Sequence, residues 1–412
     1  MRLRDLFQIK GFSIAHQGSV QRALGLGALF LSLIGLAYLI YGGHKLFTEA
    51  GDYRMRWVEQ HYVFRGKNPV DVLERSQAEA RNKPVPNKGR DASIDPDLGP
   101  VEGVYPPWAY FTGAALTWAP SFAMGRFLYG VFNLAVFAGL LLWAYRLGKR
   151  EDEFLGLFLA ASLFAVNSFC TTFIVGQYGV VVLAALIAAY LFDEKDNWLA
   201  SGLCLGIALT KVTLAGPFVL PFLIKARWRV LFVTGGYLLF GSLVIWPVVK
   251  TNPIEMLGQM VRSSEDFQQN GYSLNNLLEV FGLGVQPAMR LAAAAALLLA
   301  MVLLYLWRSS SMLTHYAIVA LATRAWCYHA LYDNLILVFL LLDLGLIAWR
   351  TKSRLAFWSY ILVGITLWMP GRLIHVHVWM IAQWVVWVEA LAVLLFLKRG
   401  EATMFLKQRA SE

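Results

Sequence analysis

Long apolar segments recur along almost the whole chain, from about residue 21 to residue 397. Apolar residues make up 58% of the 412 positions and charged residues 15%, against roughly 45–50% and about 25% in soluble domains. About 20 helical residues cross a bilayer core, and fewer suffice where a helix is broken or supported by its neighbours. The pattern predicts an all-α, polytopic integral membrane protein with about twelve transmembrane helices.

Basic residues stand in short clusters between these segments, which predicts how the chain is oriented. The clusters are KR at 149–150, KARWR at 225–229, WRTKSR at 349–354 and KRG at 398–400. Because lysine and arginine accumulate in cytoplasmic loops of membrane proteins, we expect the clusters to lie inside. Residues 1–20 and 398–412 are then cytoplasmic, and residues 21–397 form one transmembrane domain with an uncleaved first helix. The clusters account for the net charge of +10, so nucleic-acid binding is not expected.

This orientation puts two long segments outside the membrane, a first extracytoplasmic loop at 43–105 and a second at 250–286. Five polar motifs reach the same face, namely GQYG (176–179), TK (210–211), DFQQNGYSLNN (266–276), CYHALYD (327–333) and PGRLIHVH (370–377). Polar residues near lipid are costly and tend to mark function. Their coincidence on one face predicts a single site beneath the first loop.

Asp52 and Lys211 are the most specific candidates for this site. Asp52 follows the first helix near the membrane surface, where a carboxylate can take a proton from a hydroxyl group. The alternative is a helix-end acid paired with Arg54 or Arg56. Lys211 interrupts an apolar stretch at the turn between two short helices, so it either snorkels outward or meets an anion such as a lipid phosphate.

Other polar residues on this face have a functional and a structural interpretation. His329, with Arg324 and Asp333 nearby, is suited to moving protons or binding phosphate or a sugar hydroxyl, but it also fits a structural histidine. Hydrogen-bonding groups suited to sugar hydroxyls, and equally to helix capping, come from Gln177, Asn270, Ser273 and Asn276. The YPPW run that begins at Tyr105 fixes the point where the chain returns to the membrane.

Motifs for metal-dependent or nucleotide-dependent chemistry are weak. Asp95 and Asp97 match the DxD pattern of nucleotide-sugar transferases, but their loop is predicted to lie outside, and Asp-Pro-Asp is typical of a turn. His375 and His377 have no evident third ligand. The sequence contains no P-loop, dinucleotide fingerprint, HExxH or GxSxG motif. We expect no cofactor and no metal, and we expect packing roles for the cysteines Cys170, Cys204 and Cys327.

A set of short motifs follows one another in a defined order. They are Asp52-Tyr53, the G-x-N-P element at Gly66–Pro69, Tyr105-Pro106-Pro107, Gly176-Gln177, the stretch Ser201–Lys211, R-W-R at 227–229, Asn270 with Ser273, and His329 with Tyr332 and Asp333. In this order they resemble the GT-C superfamily of membrane glycosyltransferases, specifically glycosyltransferase family 87, also known as DUF2029. That family includes actinobacterial polyprenyl-phosphate-mannose-dependent mannosyltransferases. The chain departs from the family pattern at Tyr53, Ser201 and Val212, where the family more often has Phe, Ala and Pro.

The resemblance implies a GT-C fold and an inverting transfer of mannose, or of another hexose or pentose, from a polyprenyl-phosphate donor to a hydroxyl of a glycolipid or polysaccharide. It implies catalytic roles for Asp52, as the base, and for His329. By the same resemblance, the donor phosphate or sugar is bound by Arg56, Lys211, Gln177, Tyr105, Asn270, Ser273, Tyr332 and Asp333. The site would face the outside of a bacterial inner (plasma) membrane, among membrane lipids.

Two other classes of protein share the hydrophobic pattern. A transporter or flippase of a lipid-linked glycan intermediate would also need many helices, and Arg290, Asp343 and Glu389 are its candidate membrane-depth charges. A polar path to both faces would then be expected, whereas the polar motifs gather on one. A noncatalytic scaffold explains the hydrophobicity but not the outer aspartate, lysine and histidine.

Overall fold

The computed structural model describes residues 14–82, 93–101, 105–263, 274, 278–279, 282–327, 329–371 and 377–409. Helices dominate these residues, and no strand occurs among them. The α-helices are α1 Ile14–Thr48, α2 Gly51–Phe64, α3 Pro69–Ala80, α4 Pro107–Thr117, α5 Phe122–Lys149, α6 Glu153–Phe164, α7 Asn167–Val175, α8 Gly179–Asp193, α9 Trp198–Ala208, α10 Val212–Ala215, α11 Val219–Ile224, α12 Trp228–Val249, α13 Pro253–Ser263, α14 Val285–Leu306, α15 Met312–Trp326, α16 Val338–Thr351, α17 Arg354–Trp368 and α18 His377–Arg409. Three 3₁₀ segments are Leu209–Lys211, Gly216–Phe218 and Leu331–Leu337.

Seven helical segments of the described chain are long and apolar enough to cross a membrane, and a bent helix pair would make an eighth. The seven are Gly18–Phe64, Phe122–Lys149, Trp198–Ile224, Trp228–Val249, Val285–Leu306, Leu331–Thr351 and Val378–Arg399. These segments confirm the predicted all-α, polytopic membrane protein. The number is lower than the predicted twelve because several predicted spans are short helices. Helices α8 and α17 have 15 residues each, about 22 Å at 1.5 Å per residue, less than a hydrocarbon core of about 30 Å.

The apolar segment 198–225 has the length and composition of one membrane span, but it folds back on itself and does not form one straight helix. A Cβ atom added at Gly202 would lie 2.6 Å from the Cβ of Val233 in α12, and one added at Gly206 would lie 2.7 Å from the ring of Tyr237. Contacts that advance in the same order along both helices show that α9 and α12 run in the same direction. The chain between them must therefore return to its starting end.

Lys211 lies at the turn of this fold-back. The indole of Trp326, at the end of α15, donates a hydrogen bond of 2.8 Å to the carbonyl of Thr213 just after the turn. At the other end of the fold-back, Arg227 forms an ion pair of 3.1 Å with Asp193, which precedes α9. The lysine and the arginine therefore lie at opposite ends of the helix bundle. We use the name basic end for the end that contains Arg227.

The predicted first loop at 43–105 contains helices α2 and α3 and makes contact with the second predicted loop at 250–286. The side-chain amide of Asn68, which caps α3, donates hydrogen bonds to Thr251 at 3.3 Å and to Gln259 at 3.4 Å. Gln259 in α13 donates a further one, of 3.1 Å, to Asp71. The described parts of the two loops are therefore hydrogen-bonded to each other.

The Asp-Pro-Asp sequence in the first loop forms a turn. The carbonyl of Asp95 accepts hydrogen bonds from the amides of Leu98 and Gly99, and its carboxylate accepts one from the amide of Asp97 at 2.9 Å. Arg65 forms an ion pair with the same carboxylate, and this neighbouring cation lowers the pKa of Asp95. These contacts explain why the motif has a structural role here.

Candidate active site

A sharp corner between α1 and α2 brings Asp52 beside the end of α7. Ala50 precedes α2 with φ 48°, and Gly176 ends α7 with φ 74°. A Cβ atom on Gly176 would lie 2.8 Å from the Cβ of Tyr53 and 2.9 Å from that of Ala50. Glycine alone combines this backbone conformation with so close a contact. Gly176 therefore allows the corner between α1 and α2 to pack against the end of α7, and this packing puts Gln177 next to Asp52.

Gln177 holds one oxygen of the Asp52 carboxylate. Its side-chain amide donates a hydrogen bond of 2.6 Å to Oδ2 of Asp52. The amide carbonyl accepts a hydrogen bond of 3.2 Å from the hydroxyl of Tyr105, and the backbone carbonyl of Gln177 accepts one of 2.8 Å from Tyr129. Within the described part of the chain, Oδ1 of Asp52 makes no hydrogen bond. The carboxylate is therefore fixed through one oxygen, and the other is available to a hydroxyl group.

Arg56 lies one helical turn beyond Asp52, but its ion pair is with Glu59. The distance from Nη1 of Arg56 to Oε2 of Glu59 is 2.7 Å, and both side chains are buried. The guanidinium also lies 4.3 Å from the centroid of the Tyr105 ring, a favourable cation–π arrangement. The predicted alternative, an ordinary ion pair between Asp52 and Arg56, is therefore not formed.

Lys211 is buried and forms an ion pair of 2.6 Å with Asp333, from Nζ to Oδ1. The lysine is 8% exposed and the aspartate 3%, so Lys211 does not snorkel to the surface but meets an anion of the protein. Its ammonium also lies 4.7 Å from the ring centroid of Tyr332. The Tyr332 hydroxyl is in turn 3.5 Å from Nε2 of Gln177, which connects Lys211 to the surroundings of Asp52.

His329 lies behind Asp333 and is fully buried. Its Nδ1 atom is 3.3 Å from Oδ2 of Asp333, and the same oxygen accepts a hydrogen bond of 3.2 Å from the amide of Ala330. Burial lowers the pKa of His329, and the hydrogen bond with Asp333 offsets part of this effect. The imidazole is therefore neutral near pH 7, and it orients the carboxylate that holds Lys211.

The predicted site residues that the structure describes form one connected group. Hydrogen bonds, ion pairs and ring contacts link Asp52, Arg56, Tyr105, Gln177, Lys211, His329, Tyr332 and Asp333. Asn270 and Ser273 lie outside the described residues. Among the residues that are described, no group of three His, Cys, Asp or Glu side chains is placed to hold a metal ion.

Sequence reasoning missed two residues of this group, Glu59 and Tyr129. Glu59 follows Asp52 and Arg56 at helical spacing, so the three share one face of α2. This spacing could have predicted that Glu59 lies beside Arg56. Tyr129 is part of an apolar span, where its sequence context gives no sign of the hydrogen bond to Gln177.

The stability of the protein is expected to fall as the pH drops below about 6.5, partly because of His329. An unfolded histidine binds a proton with a pKa of about 6.5, whereas the pKa of folded His329 is lower. The unfolded state therefore binds more protons in this range and is favoured as the pH decreases. Thermal unfolding in detergent between about pH 5 and pH 8 measures the effect. His329→Gln should give a shallower decrease, and equal slopes for both proteins would contradict the assignment.

The arrangement combines a half-buried carboxylate, which has one available oxygen, with a buried cation at one end of a membrane bundle. A family model described as glycosyltransferase family 87 matches residues 104–327, more than half of the chain. No curated protein matches the sequence. The matched segment contains Tyr105, Gln177 and Lys211, while Asp52 and Asp333 flank it. The chain belongs to glycosyltransferase family 87 and is a membrane glycosyltransferase.

Proposed function

We propose that this glycosyltransferase moves a sugar, such as mannose or another hexose or pentose, from a polyprenyl-phosphate donor to a hydroxyl of a glycolipid or polysaccharide acceptor, with inversion at the anomeric carbon. The observation that carries the proposal is the Asp52 carboxylate, held by Gln177 in the same connected group as the buried Lys211. A base for the acceptor and a cation for the phosphate are the two groups that such a reaction needs.

In the proposed reaction, Asp52 takes the proton of the acceptor hydroxyl. The acceptor oxygen forms a bond to the anomeric carbon as the bond from that carbon to the phosphate oxygen breaks. The electron pair of the broken bond stays on the phosphate, where Lys211 stabilises the added negative charge. A single displacement of this kind inverts the anomeric centre.

Asp333 is a poor candidate for a nucleophile that would make the reaction retaining. Its carboxylate already binds Lys211 at 2.6 Å, the His329 ring at 3.3 Å and the amide of Ala330 at 3.2 Å. We propose that Asp333 holds the ammonium of Lys211 in place and that His329 is a positioning residue for Asp333. A donor phosphate then gives Lys211 a second anionic partner.

Arg56 and Tyr105 help to orient Asp52 through Gln177. Tyr105 donates its hydroxyl to the Gln177 amide, and Arg56 packs on the Tyr105 ring, so this chain of contacts orients the amide that holds Asp52. We propose that Arg56 and Tyr105 also contact the donor sugar when it is bound, since both side chains adjoin the amide.

The distribution of basic residues supports an outward orientation of the site. Arg227 pairs with Asp193 at the basic end, and Arg350 pairs with Glu151. Arg150, next to Glu151, interacts electrostatically with Tyr190, which lies close to Asp193 in α8, so Arg350 is at the basic end as well. Because basic residues accumulate on the cytoplasmic side, we propose that the basic end faces the cytoplasm and that Asp52 faces the outside of a bacterial inner membrane.

The proposal is tested by incubating the purified protein with radiolabelled polyprenyl-phosphate sugars and candidate membrane-lipid acceptors. Labelled glycolipid is expected with at least one donor, without added metal, and its anomeric configuration should be opposite to that of the donor. Absence of transfer with every donor, together with protein-dependent movement of lipid in liposomes, would contradict the proposal and favour a transporter.

Replacing Tyr105 with phenylalanine is expected to lower the transfer rate about twofold to tenfold, since the variant loses one hydrogen bond worth roughly 0.5–1.5 kcal/mol. The ring that contacts Arg56 remains, so stability should change little. Steady-state kinetics should show the loss mainly in kcat, because the hydroxyl acts through Gln177 on Asp52. Tyr237→Phe is the matched control, since its hydroxyl bonds Thr112 at 2.8 Å. An equal loss in both variants would contradict a specific role for Tyr105.

A further inference from the structure

A groove at the basic end lies between two pairs of helices, α1 with α6 and α16 with α17. Its volume is about 450 Å³. The walls are almost entirely apolar, with Leu24 and Phe158 on one side and Ala348, Phe357 and Ile361 on the other. Phe357 is 44% exposed. An apolar groove of this kind in the lipid-facing part of a membrane protein is shaped to receive an acyl chain.

The rim of this groove is basic. Lys352 and Arg354 both line it, at the junction between α16 and α17. The ammonium of Lys352 lies 3.7 Å from the ring centroid of Trp349, and tryptophan is typical of the headgroup level of a membrane. Arg354 is exposed. Two cationic side chains therefore lie at the depth of lipid headgroups, at the rim of the apolar groove.

The acidic residues near the rim already have partners. Glu151 accepts hydrogen bonds of 3.0 and 2.7 Å from Arg350. Asp152 caps α6 by accepting from the amides of Phe154 and Leu155 at 2.8 and 3.1 Å, and Gln21 lies 3.4 Å from its second oxygen. Both carboxylates also attract Lys352, and the three cations Arg350, Lys352 and Arg354 outnumber them, so the rim carries a net charge of +1.

From this combination we infer a binding site for an anionic phospholipid, with one acyl chain in the groove and the headgroup phosphate at Lys352 and Arg354. The site lies at the end of the bundle opposite to Asp52, so it is separate from the transfer site. Burial of the chain alone gives little selectivity, because lipid tails are already in hydrocarbon. Selection must therefore come from the charge of the headgroup, for which basic pockets between transmembrane helices are suited.

The test measures lipid retention by native mass spectrometry of the whole protein. The protein is equilibrated in dodecyl maltoside micelles that contain phosphatidylglycerol and phosphatidylcholine of the same chain length. Preferential retention of phosphatidylglycerol is expected. The double variant Lys352→Asn, Arg354→Gln should reduce this preference about fivefold for each cation removed. Asparagine suits position 352 because Lys352 has φ 53°, a conformation that asparagine tolerates.

Two further variants make the result decisive. Arg229→Gln, Arg308→Gln removes the same charge from exposed positions at the basic end, outside the groove, and should keep the preference. Ala23→Phe narrows the groove without a change of charge and should lower the retention of both lipids. The proposal would be overturned if the Lys352 and Arg354 variant kept its preference for phosphatidylglycerol, or lost no more of it than the Arg229 and Arg308 control. Full retention of both lipids by Ala23→Phe would also overturn it. Sugar transfer is not the readout, so failure here leaves the proposed function untouched.

Discussion

Replacing Asp52 with asparagine is expected to lower the rate of sugar transfer by a factor of about 10²–10⁴, the usual contribution of a general base. Asparagine has nearly the same shape, and its carbonyl can still accept the hydrogen bond from Gln177 that the carboxylate now accepts at 2.6 Å. The corner between α1 and α2 should therefore persist, and the loss should appear in kcat. The measurement is transfer of a radiolabelled sugar by the purified variant, with its thermal unfolding recorded in parallel.

Asp97→Asn is the matched control for this variant. Asp97 is an exposed acid in the same predicted loop, in the turn that Asp95 caps, and its replacement should leave the transfer rate within about twofold, as is usual for exposed positions. If Asp52→Asn keeps full activity with a polyprenyl-phosphate sugar as donor, Asp52 is not the base.

A large loss of stability is expected when either member of the buried ion pair between Lys211 and Asp333 is replaced. Removing one member leaves a buried charge without its partner, which typically costs about 3–5 kcal/mol. Lys211→Met and Asp333→Asn should each unfold at much lower temperature or denaturant concentration than the unaltered protein. The double variant removes both charges, and the introduced asparagine would still accept from the Ala330 amide, so we expect it to be more stable than either single variant.

Activity separates the structural role of this pair from its proposed catalytic role. The double variant should recover stability but not transfer, since the cation proposed to stabilise the leaving phosphate is absent, and removal of such a group typically costs about 10²–10³ in rate. Lys149→Met breaks an exposed pair of 3.7 Å with Glu153 and should change stability by less than about 1 kcal/mol. Recovery of transfer in the double variant would show that Lys211 does not act on the donor.

Several parts of this architecture could be predicted from the sequence because they depend on local patterns. Apolar length predicted the membrane helices, and the Asp-Pro-Asp composition predicted a turn. The lysine in the middle of segment 198–225 indicated a break, and the chain does turn there. Fewer segments pass the length of a full crossing than the predicted twelve, because apolar composition does not reveal where a short helix such as α8 or α17 stops within the bundle.

The pairing of the site residues could not be predicted in the same way. Gln177 and Asp52 are 125 positions apart, and Lys211 and Asp333 are 122 apart, so their contacts depend on how the helices pack. From the residues alone, His329 fitted both a functional and a structural role, and only the resemblance to the family implied a catalytic one. Only the packing shows that it lies behind Asp333, fully buried, and that Lys211 finds its anion within the protein.

The fold-back at Lys211 has a consequence for how the protein is assembled in the membrane. Non-helical backbone at membrane depth is tolerated only where other protein groups satisfy it. The carbonyl of Leu209 is satisfied by the indole of Trp108, which is synthesised earlier, but that of Thr213 depends on the indole of Trp326, more than a hundred positions later. The first fourteen helices therefore lack the bond that satisfies the Thr213 carbonyl beside Lys211. Helix α15, which ends at Trp326, must be in place before this bond can form, and we expect chains that are truncated before α15 to lack it.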